Sequence, residues 1–229
     1  ADALHPEFEP IAENSARNHR GAAIALSNPV PGFTDIAALQ QCPQGSLGLS
    51  LYNMIVENGY DPEVLDREAL KLSALPPSLH YLNARILQMH DVWHLVAGYK
   101  TTSSNEIAIS SFQLAQFGHN YSAMFLAVGM AMAVTKEPRG FSIILQIVAE
   151  AWQHGRETPE MMDIMWEHEW NRSLEDIRSS HGISTYTSVF PVDLLETIES
   201  APFWKKLWVM YQLTRFHKRL ARAVIPLAN

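Results

Sequence analysis

The sequence predicts an all-α fold, a single compact multi-helix domain with a helical C-terminal tail. Three observations predict it. Segments between Pro and Gly breaks carry apolar residues at helical spacing. The breaks carry helix start and stop chemistry. The one β-rich run, Thr185 to Phe190, has no second run to pair with. A chain of 229 residues, 47% of them hydrophobic, can bury one substantial core and is not clearly enough for two. Residues 1–229 are therefore read as one α-helical domain, with 1–14 as a flexible N-terminus and 203–229 as a basic amphipathic tail.

The elements follow in order. Ser15 to Leu26 reads as a short helix stopped by Asn28-Pro29, and Thr34 can cap a second short one. After the turn Cys42-Pro43-Gln44-Gly45, a helix runs from Ser46 to Asn58 and stops at Gly59. Asp61-Pro62-Glu63 opens the next, with Asp as cap and Pro in the first turn. Pro76-Pro77 ends it, and Ser78 to Ala97 follows, ending at Gly98. Beyond a polar loop, Ser104 or Asn105 caps a helix that reads on to about Val134. Glu137-Pro138 restarts a helix ending near Gly155. Thr158-Pro159-Glu160 begins a long one ending at His181-Gly182, and the tail from Pro202 is again helical in pattern.

Composition narrows the partners. The net charge is −7, which argues against a generic nucleic-acid binder. A single cysteine, Cys42, excludes a disulfide framework and reads as structural. The segment Ala1 to Asn14 lacks the basic start and apolar run of a signal peptide. The longest apolar run, Ala123 to Val134, is 12 residues, short of the roughly 20 that a membrane-spanning helix needs. Six of the 17 basic residues and none of the 24 acidic ones lie after Pro202, so the body carries −13. In that tail Phe203, Trp204, Leu207, Trp208 and Tyr211 form an apolar-aromatic stripe among Lys205, Lys206, Arg215, Lys218, Arg219 and Arg222. Such a segment suits an anionic membrane surface. Packing of the stripe on the core is the rival reading.

The stretch with most chemistry is His90-Asp91-Val92-Trp93-His94. On a helix His90 and His94 share one face, a turn apart, and can hold one cation. Asp91 lies about 100° round the axis from His90 and is either a third ligand or a group that orients an imidazole. Glu106 follows across a short loop at the start of the next helix, where antiparallel packing can face it to His94. Two imidazoles and two carboxylates suit Zn most, with Fe, Mn or Mg as other divalent candidates. A bare histidine pair in a polar core is the plainer alternative. Ser110, Gln113 and Asn120 continue the face of Glu106 and are candidate substrate-binding residues. Glu167-His168-Glu169 reads as a solvated face, and Met124, Met130, Met132, Met161, Met162 and Met165 read as adaptable core.

The segment from Met89 to His119 resembles the signature of the coenzyme Q biosynthesis protein four family, HDxxH, eleven residues, then Glu. His90, Asp91, His94 and Glu106 occupy its four motif positions. Gln44-Gly45-Ser46-Leu47-Gly48 is similar to the family's Gly-x-Leu-Gly segment, and Glu175-Asp176-Ile177-Arg178 to its late helix before Gly182-Ile183. The resemblance covers about Pro43 to Ile183. It implies a peripheral membrane protein of ubiquinone biosynthesis that removes the carbon 1 carboxyl group, with hydroxylation there, from a polyprenylated hydroxybenzoate. The motif residues would be metal ligands, with Asp91 as the proton-handling catalytic residue if it is not a tight ligand. It equally admits a non-enzymatic prenyl-lipid-binding scaffold that organises other quinone biosynthesis proteins around a structural metal. The implied location is cytoplasmic, peripheral to the inner membrane, or the matrix side of the mitochondrial inner membrane in a eukaryote. Homo-oligomerisation is left open.

Overall fold

A computed structural model describes residues 7, 9–18, 32, 34–60, 67–136 and 140–189, and among them helices alone form regular elements. Helix α1 is Glu9–Asn18, α2 Ile36–Leu39, α3 Leu47–Asn58, α4 Pro77–Ala97, α5 Ser103–Phe117, α6 Asn120–Lys136, α7 Phe141–Glu157 and α8 Leu174–His181. Short 3-10 turns lie at Leu72–Ala74 and Trp166–His168. The predicted tail, 203–229, lies outside the described residues.

The bounds agree with the sequence where capping chemistry is strong. Ser46 caps α3 by accepting from Leu49 N–H, and Gly59 ends it in the left-handed region at φ 63°. The first two amides of α3 donate to Arg172 O at 2.8 Å and Trp170 O at 2.9 Å, which ties α3 to the late part of the chain. Pro77 opens α4 at a position where its missing N–H is not needed. Gly98 ends α4 at φ 78°, and a Cβ there would lie 2.9 Å from Thr185 Cβ. Both the conformation and the close approach require glycine. Cys42 packs beside Gly48, where a Cβ would meet its Sγ at 2.6 Å.

Five of the expected helix limits need correction. Helix α1 starts at Glu9, ahead of the predicted Ser15, so Glu9 to Asn14 are helical and not part of a flexible terminus. Glu9 in its first turn and Arg17 in its last suit the helix dipole, and α1 packs on α4. Asp35, not Thr34, caps α2, its carboxylate accepting from Ala38 N–H. Residues 67–71 are turn, and Lys71 adopts φ 53°, so the helix predicted from Asp61 does not run through them.

The predicted helix from Ser104 to Val134 is two helices. Gly118 takes φ 62° and ends α5, and Ala123 N–H on α6 then bonds His119 O at 3.1 Å. His119 also meets Ser122 Oγ at 2.9 Å, a local contact that favours a new helix start over continuation. The predicted helix from Thr158 to His181 is mostly irregular chain, with α8 alone at its end, capped by Ser173. Part of its backbone is held from elsewhere. The Gln116 amide donates to Gly155 O at 2.7 Å and Thr158 O at 2.8 Å, and its oxygen accepts from Met161 N–H at 3.2 Å. Met161, Met162 and Trp166 are buried by this arrangement.

Helix α5 is central. Ser111 Oγ donates to Val148 O on α7 at 2.7 Å, and a Cβ on Gly155 would stand 2.8 Å from Phe112 O, so α5 and α7 pack nearly backbone to backbone. Trp93 on α4 stacks on Phe117 of α5 at 4.4 Å. The core therefore runs along α4, α5 and α7 and closes over the 161–166 segment. Met124 and Met132 depart from the predicted core role, since α6 leaves them 51% and 47% exposed. Thr185 to Val189 forms no strand; Tyr186 N–H donates to Ala97 O at 2.8 Å, and its ring stacks on Tyr99 at 4.5 Å.

Candidate metal centre

The site lies where the end of α4 meets the start of α5. A helix end leaves four carbonyls without partners, and burial there demands replacements. Here Tyr99 N–H bonds His94 O at 2.9 Å, Arg178 bonds Leu95 O at 2.7 Å and Val96 O at 2.8 Å, and Tyr186 N–H bonds Ala97 O. The Arg178 charge also suits the negative end of the α4 dipole. These contacts fix the turn on which His90 and His94 stand. Across the loop, Glu106 sits in the first turn of α5, where a carboxylate is favoured.

His90, His94 and Glu106 each offer a ligand atom, and those atoms lie within 4.8 Å of one another. His90 Nε2 is 3.4 Å from Glu106 Oε2, and His94 Nε2 is 3.3 Å from Glu106 Oε1. The two imidazole Nε2 atoms are 3.1 Å apart. His94 is 1% exposed while His90 is 31% and Glu106 36%, so the cluster is closed behind His94 and open on the other side. Burial raises the Glu106 pKa, but the hydrogen bonds and charges of His90 and His94 outweigh it and bring it down to about 2. Glu106 thus presents a carboxylate at neutral pH.

The donor set fits a divalent cation. Two imidazoles and one carboxylate form the ligand set of catalytic zinc sites and of facial-triad iron sites, both of which keep positions open. His94 is already oriented for this, because its Nδ1 meets Lys100 O at 3.0 Å, which leaves Nε2, facing Glu106, as the atom a cation would take. Asp91, also predicted as a ligand, is not part of the cluster.

The other predicted residues separate. Ser110 is buried on α5. Gln113 is buried too, and its amide meets His90 Nδ1 at 2.6 Å, so it touches a ligand of the site instead of lining open space. Asn120 begins α6, beyond the break at Gly118 that ends the helix of Glu106. Glu167 is not on a merely solvated face: it pairs with both terminal nitrogens of Arg85, which is 2% exposed. Glu169 pairs with Arg172 at 2.6 Å. His154, without a sequence partner, accepts from Tyr99 OH at 2.8 Å and donates to Ser184 O at 3.0 Å. The contacts of Lys100 O, Ser122 and His119 were not visible in the sequence, although Gly118-His119 followed by Ser122 has the spacing of a helix stop and restart.

The profile of the family described as coenzyme Q (ubiquinone) biosynthesis protein Coq4 matches residues 16–187. The human protein named ubiquinone biosynthesis protein COQ4 homolog, mitochondrial, is 24% identical over 182 residues, covering 79% of this chain and 67% of its own length. The Coprinopsis cinerea protein named ubiquinone biosynthesis protein COQ4, mitochondrial, is 24% identical over 180 residues, 78% of this chain and 60% of its own. The chain thus spans only part of these relatives. The crystal structure of a Nostoc punctiforme protein provisionally assigned to ubiquinone biosynthesis superposes with a TM-score of 0.62 at 23% identity. It covers 77% of this chain and 81% of that one, and supports the fold.

Proposed function

The chain belongs to the Coq4 family of coenzyme Q (ubiquinone) biosynthesis proteins, and from that premise we propose that it is a metal-dependent decarboxylase acting, oxidatively, at carbon 1 of a polyprenylated hydroxybenzoate. The observation that carries this reading is the three-ligand cluster His90, His94 and Glu106 with one open side. A closed four-ligand shell would have favoured a purely structural ion.

A divalent cation held by His90, His94 and Glu106, with zinc favoured and iron, manganese or magnesium as alternatives, would supply Lewis acidity for the electron pair left on the ring as the carboxyl group departs, and molecular oxygen would be the two-electron oxidant where a hydroxyl takes that place. His94 and Glu106 fix one wall of the site, and His90 stands at its solvent side. Glu106, ionised at neutral pH, is a ligand and not a proton donor. Asp91, about 60° from His94 and about 100° from His90 round the helix axis, is the group assigned to proton handling. Ser110, buried on the same helix as Glu106, is retained as a contact for the ring oxygens.

The lipid part of the substrate is matched by α6 and α7. Phe125, Val128, Met132 and Val134 on α6 are exposed, as are Leu145 and Trp152 on α7, and α6 has no charge before Lys136. Among the described residues no helix is long and apolar enough to cross a membrane. The proposed setting is therefore an anionic membrane surface, at the inner membrane and on the matrix side if mitochondrial, where the protein meets its prenylated substrate and other quinone biosynthesis proteins. The same exposed face is what favours the rival reading, a prenyl-lipid-binding scaffold. Metal analysis of the purified chain tests the premise common to the catalytic reading: wild type should retain a divalent ion near one per chain, and His94→Ala should lose it. Equal metal content in both would defeat the assignment.

A further inference from the structure

The polar atoms of the two histidines divide into an inner and an outer set. The Nε2 atoms of His90 and His94 are 3.1 Å apart and lie 3.4 and 3.3 Å from the Glu106 carboxylate, the spacing of atoms that share a cation. The Nδ1 atoms are on the far side of each ring, and each has a partner outside the cluster. His94 Nδ1 meets Lys100 O at 3.0 Å, and His90 Nδ1 meets the side-chain amide of Gln113 at 2.6 Å. An imidazole that gives one nitrogen to a cation carries its proton on the other, and that N–H needs an acceptor.

The two outer partners differ in kind. His94 is buried and its partner is main chain, fixed by the loop after α4. His90 is partly exposed, and its partner is a side chain of α5. A side chain steadies a ring only if it is itself held. Gln113 is buried, and the other end of its amide meets Ser122 Oγ at 3.0 Å. Ser122, buried in the first turn of α6, also meets the buried His119 at Nδ1, at 2.9 Å. The placement of Gln113 against His90 Nδ1 is the same for either end of its amide, since half a turn about the last side-chain bond exchanges acceptor and donors. Three polar side chains thus occupy the junction of α5 and α6, where apolar ones would be cheaper to bury. Together they hold one amide against the metal-site histidine that has room to move.

We propose that Gln113 is the positioning residue of His90 in the metal centre, and that Ser122 holds it in place from α6. This role rests on the proposed metal site and extends it outward by one layer. Gln113 touches no cation and acts through the imidazole. Its loss leaves the His90 Nδ1–H without an acceptor and lets the partly exposed ring turn away from Glu106. His94 keeps its main-chain partner. The site then survives with a weaker hold on the cation; outer partners of metal-bound histidines typically carry about 10- to 100-fold in affinity. The helix with the exposed apolar face also becomes part of the centre, because its first turn supplies Ser122.

The experiment is the zinc affinity of the full chain, measured by competition with a chromophoric chelator, beside the melting temperature of each metal-free protein. Gln113→Met keeps the length of the side chain and removes its hydrogen bonds, and should bind zinc about 10- to 100-fold more weakly than wild type. Gln113→Glu restores an acceptor and should match or exceed wild type, whatever its melting temperature. Ser122→Ala should weaken binding by less than Gln113→Met, and wild-type affinity there would refute its part. Folded Gln113→Met with a lower melting temperature and unchanged zinc affinity overturns the positioning role and leaves the metal site standing. Gln113→Glu as weak as Gln113→Met overturns it too. A wild-type chain that binds no zinc defeats the metal site and the role with it. If the Gln113 variants do not fold, proton–nitrogen NMR of the zinc-loaded wild type decides. The His90 Nδ1 proton should exchange slowly and show an Overhauser contact to the Gln113 side chain; fast exchange without that contact refutes the role.

Discussion

Acid should destabilise this fold through His119, and the size of the effect follows from its burial. Burial, then the charge of His90, lowers its pKa from 6.5 to about 4. The folded state therefore binds a proton less readily than the unfolded chain. Stability from this group is complete above the unfolded pKa of 6.5 and is lost as pH falls toward the folded value of about 4. For one site with those two constants the loss is about 2 kcal/mol by about pH 5 and about 3 kcal/mol by about pH 4. The perturbation is His119→Gln, which keeps an amide toward Ser122 without titrating. Urea unfolding of both proteins, from neutral pH down to about pH 4.5, measures the slope of stability against pH. The variant should start less stable and then lose roughly 2 to 3 kcal/mol less than wild type over the interval. Parallel curves would refute the claim that His119 is buried as a neutral ring.

Other outcomes follow from separate parts of the structure. Glu167→Gln leaves the buried Arg85 charge without its carboxylate, and should cost about 2 kcal/mol in urea unfolding, less than the 3–5 of a fully enclosed pair because Glu167 is partly exposed. The Glu167 pKa is lowered because its bonds and charge contact with Arg85 outweigh burial, so this contribution is present above the unfolded value of 4.5 and fades as pH falls below it. Gly155→Ala places a Cβ 2.8 Å from Phe112 O and 2.9 Å from Ala115 Cβ, and should destabilise by about 1–3 kcal/mol as α5 and α7 are pushed apart, read as a lower melting temperature. The tail from Phe203 to Asn229, if it is the electrostatic anchor, should give co-sedimentation with anionic liposomes that falls in high salt; a chain ending at Ser200 should lose it, and equal binding by both would exclude that role.

Helix ends were legible wherever local chemistry alone decides them. Ser46 and Gly59 bound α3, and Pro77 and Gly98 bound α4, because the cap and the left-handed stop are written in single residues. The break at Gly118 was not legible, since apolar periodicity continues across it and the deciding contact is His119 with Ser122. The irregular path from Thr158 to Ser173 was hidden for another reason. Its start is held by Gln116, some forty residues earlier, which bonds Thr158 O and Met161 N–H, and no local pattern reports that. At the site, the pairing of His90 with His94 follows from one helical turn, and Glu106 from a short loop between neighbouring helices. Gln113 was visible as a polar position on the right face, but its partner was not. That depends on α5 bringing it to His90 at the depth of the ligand shell.

Of all measurements, release of labelled carbon dioxide tests the central claim most directly. The metal-loaded full chain is incubated in air with a prenylated 4-hydroxybenzoate carrying 13C in its carboxyl group. The account predicts release of 13C-labelled carbon dioxide by wild type, abolished when His94 or Glu106 is replaced by Ala, and much weaker with the unprenylated acid. Metal-loaded, folded wild type that binds the prenylated acid and releases no label would contradict it, and would leave the scaffold reading in its place.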